Sequence, residues 1–158
     1  MSDFLTNQFK QTNAVGVLDL TTNPNPSVMT VLYNPIGVAS DIVPGTGVKL
    51  VDLGVNDAIG LPIVDVRTAD ADVIEGVVIF DTKKATKEIS DRIAIAKKGA
   101  VLFLEASAGI LRGAEVALVL ASPGEVVTQT TEIVLGKALD KASAAGQLIR
   151  IEVLSEGV

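Results

Sequence analysis

The side chains that most often do chemistry at neutral pH are absent from this chain. It contains no histidine and no cysteine, which excludes a Ser-His-Asp triad, an imidazole or thiolate metal site and a disulfide framework. Catalysis would have to depend on carboxylates, lysines or the single tyrosine, Tyr33. Ser90 and Ser107 have no plausible base near them in the sequence. The 19 acidic residues could supply a glycosidase pair, but sugar sites use aromatic platforms and the chain has no tryptophan.

Three short patterns could indicate a site, and each has a simpler structural interpretation. Gly45-Thr46-Gly47 lacks the spacing of a phosphate loop and favours a β-turn. Asp70 and Asp72 lack the ligand spacing of a calcium loop and indicate a solvated acidic turn. Asp140-Lys141-Ala142 resembles the tripeptide whose lysine carries lipoate or biotin in much shorter carrier domains, but a solvated lysine is the simpler interpretation. We therefore predict a protein that is not an enzyme and has no catalytic residue, metal or cofactor.

Charge and composition narrow the possible partners. The chain has 13 basic and 19 acidic residues, a net charge of −6 and a pI near 4.6, so we expect no binding to nucleic acid or to an anionic membrane. No segment approaches the roughly 20 apolar residues that span a bilayer, and the first residues do not form a signal peptide. Apolar residues make up 48% of the chain, which suggests that partners or sister subunits cover part of the surface.

The elements that would position any site are short strands. Apolar runs rich in Val, Ile and Leu alternate with turn signals along the whole chain. This pattern predicts about ten short strands and a sandwich or small barrel rather than βαβ units. The individually predicted strands are Ala14–Leu20, Val28–Tyr33, Val48–Leu53, Ile63–Arg67, Val77–Phe80, Asp91–Lys97, Ala100–Glu105 and Glu115–Leu120, with two more after Pro123 and a closing strand. We predict an all-β fold, a compact β-barrel with little helix.

One segment leaves two interpretations open. Within Asp81–Ser90 and the residues after it, the spacing of Ala85, Ile89 and Ile93 is compatible with a helix. The alternative is a loop that leads into a strand at Asp91–Lys97. We favour the strand, because Gly99 ends it and another apolar run begins at once.

The last thirty residues carry the clearest local pattern. In the closing strand the apolar residues fall on one face and the polar ones, Arg150 and Glu152, on the other. Gly136 interrupts an apolar run and predicts a bulge or a close backbone approach. We find no linker and no convincing internal repeat, so residues 14–158 are predicted to form a single barrel domain.

Residues 1–13 form a separate, polar N-terminal segment. It holds two of the four phenylalanines of the chain, Phe4 and Phe9, together with Leu5. One interpretation is a tail whose aromatic residues pack locally. The other is an arm that orders on the surface of a partner.

The segment Thr131–Val153 resembles the C-terminal signature of phage capsid decoration (cement) proteins. It reads T-E-I-V-L-G-K-A-L-D-K-A-S-A-A-G-Q-L-I-R-I-E-V, and the family ends with Gly-x-Ala-Leu, a small-residue turn and a strand around Ile-Arg-Val. Family-like pieces also occur in order upstream, at Val48–Asp52, Thr68–Phe80, Asp91–Lys97 and Ala106–Val116. The resemblance covers Asp41–Leu154. Residues 1–40 are longer and less family-like than in the compact members.

The resemblance implies a tulip-like β-barrel that forms homotrimers on the outer surface of an expanded icosahedral capsid. Such trimers occupy three-fold and quasi-three-fold positions, bind the major capsid protein and stabilise the head against internal DNA pressure. The protein would be made in the host cytoplasm and end on the virion. By analogy with N-terminal arms in related decoration proteins, the candidate capsid-binding residues are Phe4, Leu5, Phe9 and Lys10. The alternatives are a tail-tube or head-fibre subunit of the virion and a small carrier or binding barrel.

Overall fold

A computed structural model describes residues 14–34, 41–51, 60–81 and 91–156. The regular structure in these ranges is all strand, and within them no helix is long and apolar enough to span a membrane. The ten strands are β1 Val28–Tyr33, β2 Gly47–Leu50, β3 Ile63–Val66, β4 Gly76–Val78, β5 Arg92–Ala96, β6 Val101–Ala106, β7 Glu115–Leu118, β8 Glu125–Thr128, β9 Gly136–Ala138 and β10 Leu148–Val153. The predicted all-β fold of short strands is confirmed. The helical alternative for Asp81–Ser90 and the position of Ser90 fall almost wholly outside the described residues.

The ten strands close into two small barrels of five strands each. The first barrel has the order β1-β3-β2-β4-β5 and the second has the order β10-β6-β8-β7-β9. The expected compact β-barrel architecture is therefore present, divided between two barrels that follow one another along the chain. Closure pairs the first and last strands of each set, β1 with β5 and β6 with β10, which removes sheet edges that could pair with other chains.

The second barrel repeats the strand pairing of the first. In each barrel the first and third strands are parallel, and the other four pairs are antiparallel in the same order. The register is repeated as well. Leu32–Ile63 in the first barrel corresponds to Glu105–Glu125 in the second. In the same way Val48–Val66 corresponds to Val116–Thr128, and Leu32–Arg92 to Glu105–Leu148.

Backbone contacts outside the strands follow the same repeat. Gly45 donates its N–H to Val78 O at 2.8 Å, and Gly113 donates its N–H to Ala138 O at 2.7 Å. Both glycines have φ of +87°. The described residues therefore form a tandem structural duplication, although no convincing repeat is visible in the sequence. Sequence periodicity did not reveal this because a barrel needs apolar side chains at alternate positions and leaves their identity open.

Gly136 confirms the predicted close backbone approach. A β-carbon at this position would collide with the carbonyl oxygen of Glu152 on the neighbouring strand β10. The equivalent glycine of the first barrel, Gly76, is in the same situation, since its β-carbon would lie 2.8 Å from Ala96 O. In both barrels the backbone at this glycine thus lies too close to the partner strand for a side chain at that position.

The hydrophobic core consists of two clusters, and one of them takes residues from both barrels. The interior of the first barrel is centred on Val31, Tyr33 and Ile95. The larger cluster fills the second barrel and also includes Ile74, Val77 and Ala96, which belong to the first. In the closing strand, the inward face predicted from alternation is buried and Arg150 and Glu152 lie on the other face, as expected. The shared cluster indicates that the barrels stabilise each other.

The prediction that Ala14–Leu20 forms a strand is wrong. The chain turns at its start, where Val17 N–H donates to Ala14 O at 3.1 Å, and it then makes a single antiparallel bridge between Leu18 and Leu102. We call residues 14–20 the strap, because they contact both barrels. Gly16 donates its N–H to Phe103 O of β6 at 2.8 Å and accepts from Phe80 N of the first barrel at 2.9 Å.

Candidate functional site

The four residues predicted to contact a capsid, Phe4, Leu5, Phe9 and Lys10, lie outside the described residues. Their role therefore stays a prediction. Ala14 opens the strap, which is held between the two barrels by backbone hydrogen bonds to both.

In the Asp140-Lys141-Ala142 tripeptide, Asp140 forms a structural ion pair with Arg150. Asp140 receives two hydrogen bonds from the Arg150 guanidinium, from Nε to Oδ2 at 2.9 Å and from Nη2 to Oδ1 at 2.6 Å. These bonds lower the pKa of Asp140. Lys141 is exposed, while Ala142 is buried and pairs with Ile110 in an antiparallel bridge. This arrangement is the solvated lysine that the sequence favoured.

Asp72 organises the acidic turn that the sequence predicted. Its Oδ2 atom accepts hydrogen bonds from Lys49 Nζ and from the backbone N–H groups of Thr68 and Ala69, each at 2.9 Å. The hydrogen bond from Lys49, followed by those from the backbone, lowers the pKa of Asp72 to about 2. In the described part of the chain no group of three metal-ligating side chains is placed to hold an ion.

A small cavity lies at the junction of the two barrels, and we call it the junction cavity. Its volume is about 30 Å³. The first barrel contributes the turn Gly45–Gly47 with Val66 and Arg67, and the second contributes Leu118–Leu120, Pro123 and Gly124. The turn that the sequence predicted at Gly45–Gly47 is present. Its glycines line the cavity between the barrels and do not form a phosphate loop.

Arg67 is the most unusual side chain of this junction. Only 2% of the side chain is exposed, and Nη2 donates to Leu118 O of the second barrel at 3.0 Å. The nearest carboxylate, Asp70, stands 3.8 Å from Nη2. Among the described residues, Arg67 Nη1 is the buried side-chain nitrogen with no hydrogen-bond partner. Burial lowers the pKa of Arg67, and the negative charge of Asp70, Asp72 and Glu132 opposes that shift.

A wider groove adjoins the junction cavity and shares its wall at Leu118–Leu120. We call it the acidic groove; its volume is about 270 Å³, and its other lining residues are Asp70, Ala121, Val127 and Glu132. Hydrogen bonds from the backbone of Glu132 itself and of Thr130 and Thr131 lower the pKa of Glu132 to about 2. The groove therefore combines an apolar wall with two acidic side chains, beside a buried guanidinium. The sequence marked Asp70 as part of a turn, but nothing in it indicated that Arg67 would be buried.

Comparisons with known proteins find a likeness of fold. No family model and no curated protein matches the sequence. Among solved structures, the chain is similar to the crystal structure of the head fiber gp8.5 N base in bacteriophage phi29, with a TM-score of 0.52 and 13% sequence identity. The match covers 84% of this chain and 97% of that chain. At this identity the likeness is one of fold: the chain shares its architecture with the base of a phage head fiber.

Proposed function

We propose that this protein is a non-enzymatic structural subunit of a bacteriophage virion, located on the outside of the head. The observation that carries the proposal is the fold likeness to the head fiber base, which extends over 84% of this chain and nearly the whole of that one. The resemblance of Thr131–Val153 to the capsid decoration family supports the same location from an independent direction.

The architecture suits a mechanical role. The core cluster of the second closed barrel includes residues of the first, so the two barrels support each other, and closure pairs the edge strands of each barrel. The strap has a fixed position, because its backbone is bonded to both barrels. An arm attached to a rigid body at a fixed point can bind a capsid surface while the barrels project outward.

In its finer form the proposal is a cement protein that binds as homotrimers at three-fold and quasi-three-fold sites of an expanded capsid. Among the described residues, ten large apolar side chains are at least one-third exposed, and the most exposed is Leu111 at 71%. Apolar surface of this kind supports contacts with sister subunits or with the major capsid protein. Three weak arm contacts per trimer would act together and give stable attachment.

A second candidate is a head-fibre base, which the fold likeness specifically favours. A fibre base would attach in far fewer copies than a lattice-wide cement protein. It would also carry a further shaft or tip, either in the same chain or in a partner.

Co-sedimentation with expanded, undecorated heads of the phage that encodes the protein tests these proposals. The bound stoichiometry is measured as the protein concentration is raised to saturation. Saturation near one copy per major capsid subunit supports the cement role, and a few copies per head support the fibre base. Absence of binding to heads, with binding to tails or to nothing, contradicts the head-surface location.

A further inference from the structure

We propose that the junction cavity and the acidic groove together bind an extended peptide segment of a partner protein. In this complex a backbone carbonyl oxygen of the segment accepts from Arg67 Nη1, and a lysine or arginine side chain of the segment pairs with Asp70 and Glu132. That the partner is another virion protein rests on the proposed function. The recognition chemistry does not.

Arg67 supplies the first half of the argument. Burying a charged guanidinium is unfavourable in free energy unless its N–H groups are hydrogen-bonded. Arg67 Nη1 has no hydrogen-bond partner within the described chain. The cavity that Arg67 lines has a volume of about 30 Å³, enough for one or two oxygen-sized groups. Arg67 lines this space and its Nη1 atom lacks an acceptor, so an oxygen inserted into the cavity would lie beside the guanidinium.

The duplication shows that this arginine is not required to build a barrel. Arg67 N–H donates to Gly47 O, and at the equivalent place in the second barrel Gln129 N–H donates to Glu115 O. The Gln129 side chain closes on its own turn, where Nε2 donates to Glu132 O at 3.0 Å. At this position the second barrel has a neutral glutamine that is hydrogen-bonded within its own turn. The first barrel has a longer, charged arginine instead, and Arg67 Nη1 has no acceptor at the junction.

The acidic groove defines the rest of the ligand. Asp70 is 56% exposed at the side chain and lines the groove with Glu132, which is ionised above about pH 2. These carboxylates would repel an anionic ligand. A ligand with a neutral carbonyl and a nearby cation can instead accept a hydrogen bond from the guanidinium and pair with the carboxylates. Leu120, which is 38% exposed, and Val127 also line the groove and offer apolar contact. Carbonyl, cation and apolar groups at short, regular spacing are the features of an extended peptide.

The test is a titration of the ¹⁵N-labelled full chain, followed by NMR at low ionic strength. The probe is the peptide acetyl-Val-Lys-Val-amide, and the matched peptide carries glutamate in place of lysine. We expect the lysine peptide to shift the amide signals of Gly45, Gly47, Leu120 and Gly124, and the glutamate peptide to leave them unchanged. Sodium acetate, the third probe, presents a carboxylate without a peptide.

Variants then assign the contacts. Arg67→Met should weaken binding about tenfold, since the acceptor loses its donor. Asp70→Asn combined with Glu132→Gln should weaken it about fivefold, and Glu156→Gln, an exposed carboxylate elsewhere, should have no effect. If Arg67→Met does not fold, the wild-type titration decides alone. Equal shifts with both peptides, shifts with acetate instead, or no shifts would overturn the proposal. Because no heads are used, failure here is distinct from failure of head binding.

Discussion

Val15 lies so close to Gly124 that a β-carbon added to Gly124 would stand 2.5 Å from Val15 Cγ1. The same methyl carbon is 2.7 Å from the place where a β-carbon on Gly45 would be. A side chain of the strap thus fills the space between a turn of the first barrel and a loop of the second. Both glycines have φ of +87°, so neither the space nor the backbone admits a larger residue.

We expect Gly124→Ala to lower the free energy of unfolding by about 2 to 4 kcal/mol, because it adds a steric clash to backbone strain. The matched control is Gly99→Ala. Gly99 has φ of +92° but nothing within 4 Å of its would-be β-carbon, so only the strain, about 1 kcal/mol, should appear. Chemical denaturation measures both variants. Equal losses would contradict the close packing at the junction.

Arg150→Met should loosen the strap. Besides its bonds to Asp140, Arg150 donates from Nη1 to Thr22 Oγ1 at 3.0 Å and stands 3.6 Å from Asp19. We expect the amide protons of Gly16 and Asp19, both bonded to β6, to exchange with solvent several times faster in the variant. The control is Lys98→Met, which breaks the exposed ion pair with Glu156. Unchanged exchange in Arg150→Met would show that backbone bonds alone hold the strap.

Stability should fall in acid partly through Asp19. Burial raises the pKa of this carboxyl, but hydrogen bonds from Thr21 and Thr22 outweigh burial and lower the pKa to about 2 from 3.8. A depressed pKa means that the unfolded chain binds the proton more tightly, so the stabilisation is complete above about pH 5 and is lost as the pH falls toward 2. The contribution at neutral pH is about 2 kcal/mol.

The measurement for Asp19 compares wild type with Asp19→Asn at neutral pH and near pH 2. The gap in unfolding free energy between the two should shrink as the pH falls. Asp41→Asn, on an exposed side chain, is the control. A gap that stays constant with pH would contradict the role of the Asp19 charge.

The two barrels should unfold together. Ile95 and Ile151 occupy equivalent, fully buried positions, and truncation of either to alanine should cost about 3 to 4 kcal/mol. Because the core cluster of the second barrel includes residues of the first, each variant should shift one common transition in thermal unfolding. Leu148→Ala, at a 37% exposed position, should cost about 1 kcal/mol or less. Two separate transitions would contradict a shared core.

Deletion of residues 1–13 tests the proposed arm. We expect the truncated protein to lose binding to heads in the co-sedimentation assay. Its thermal midpoint and any trimer should be unchanged, since the strap begins at Ala14 and keeps its bonds. Undiminished binding would remove Phe4, Leu5, Phe9 and Lys10 from the contact surface and leave the head-surface location standing.

Sequence alone determined which residues of the closing strand face inward and where a glycine brings two strands close together. In β10 the alternation of Ile149, Ile151 and Val153 with polar neighbours predicted the buried face, and Gly136 predicted a close approach. These features are local, because the two-residue period of a strand and the size of a glycine follow from the residue itself. The near absence of helix and the small polar turns were predictable for the same reason.

Only the tertiary structure decided how the strands are shared between barrels and what the junction contains. Strand pairing uses backbone groups that are the same in every residue, so alternation cannot say whether β5 closes on β1 or continues into β6. Burial of Arg67 depends in turn on Leu118, which is 51 residues away along the chain. Periodicity measures neighbours within a few residues, whereas the junction is made by segments that meet only after both barrels have closed.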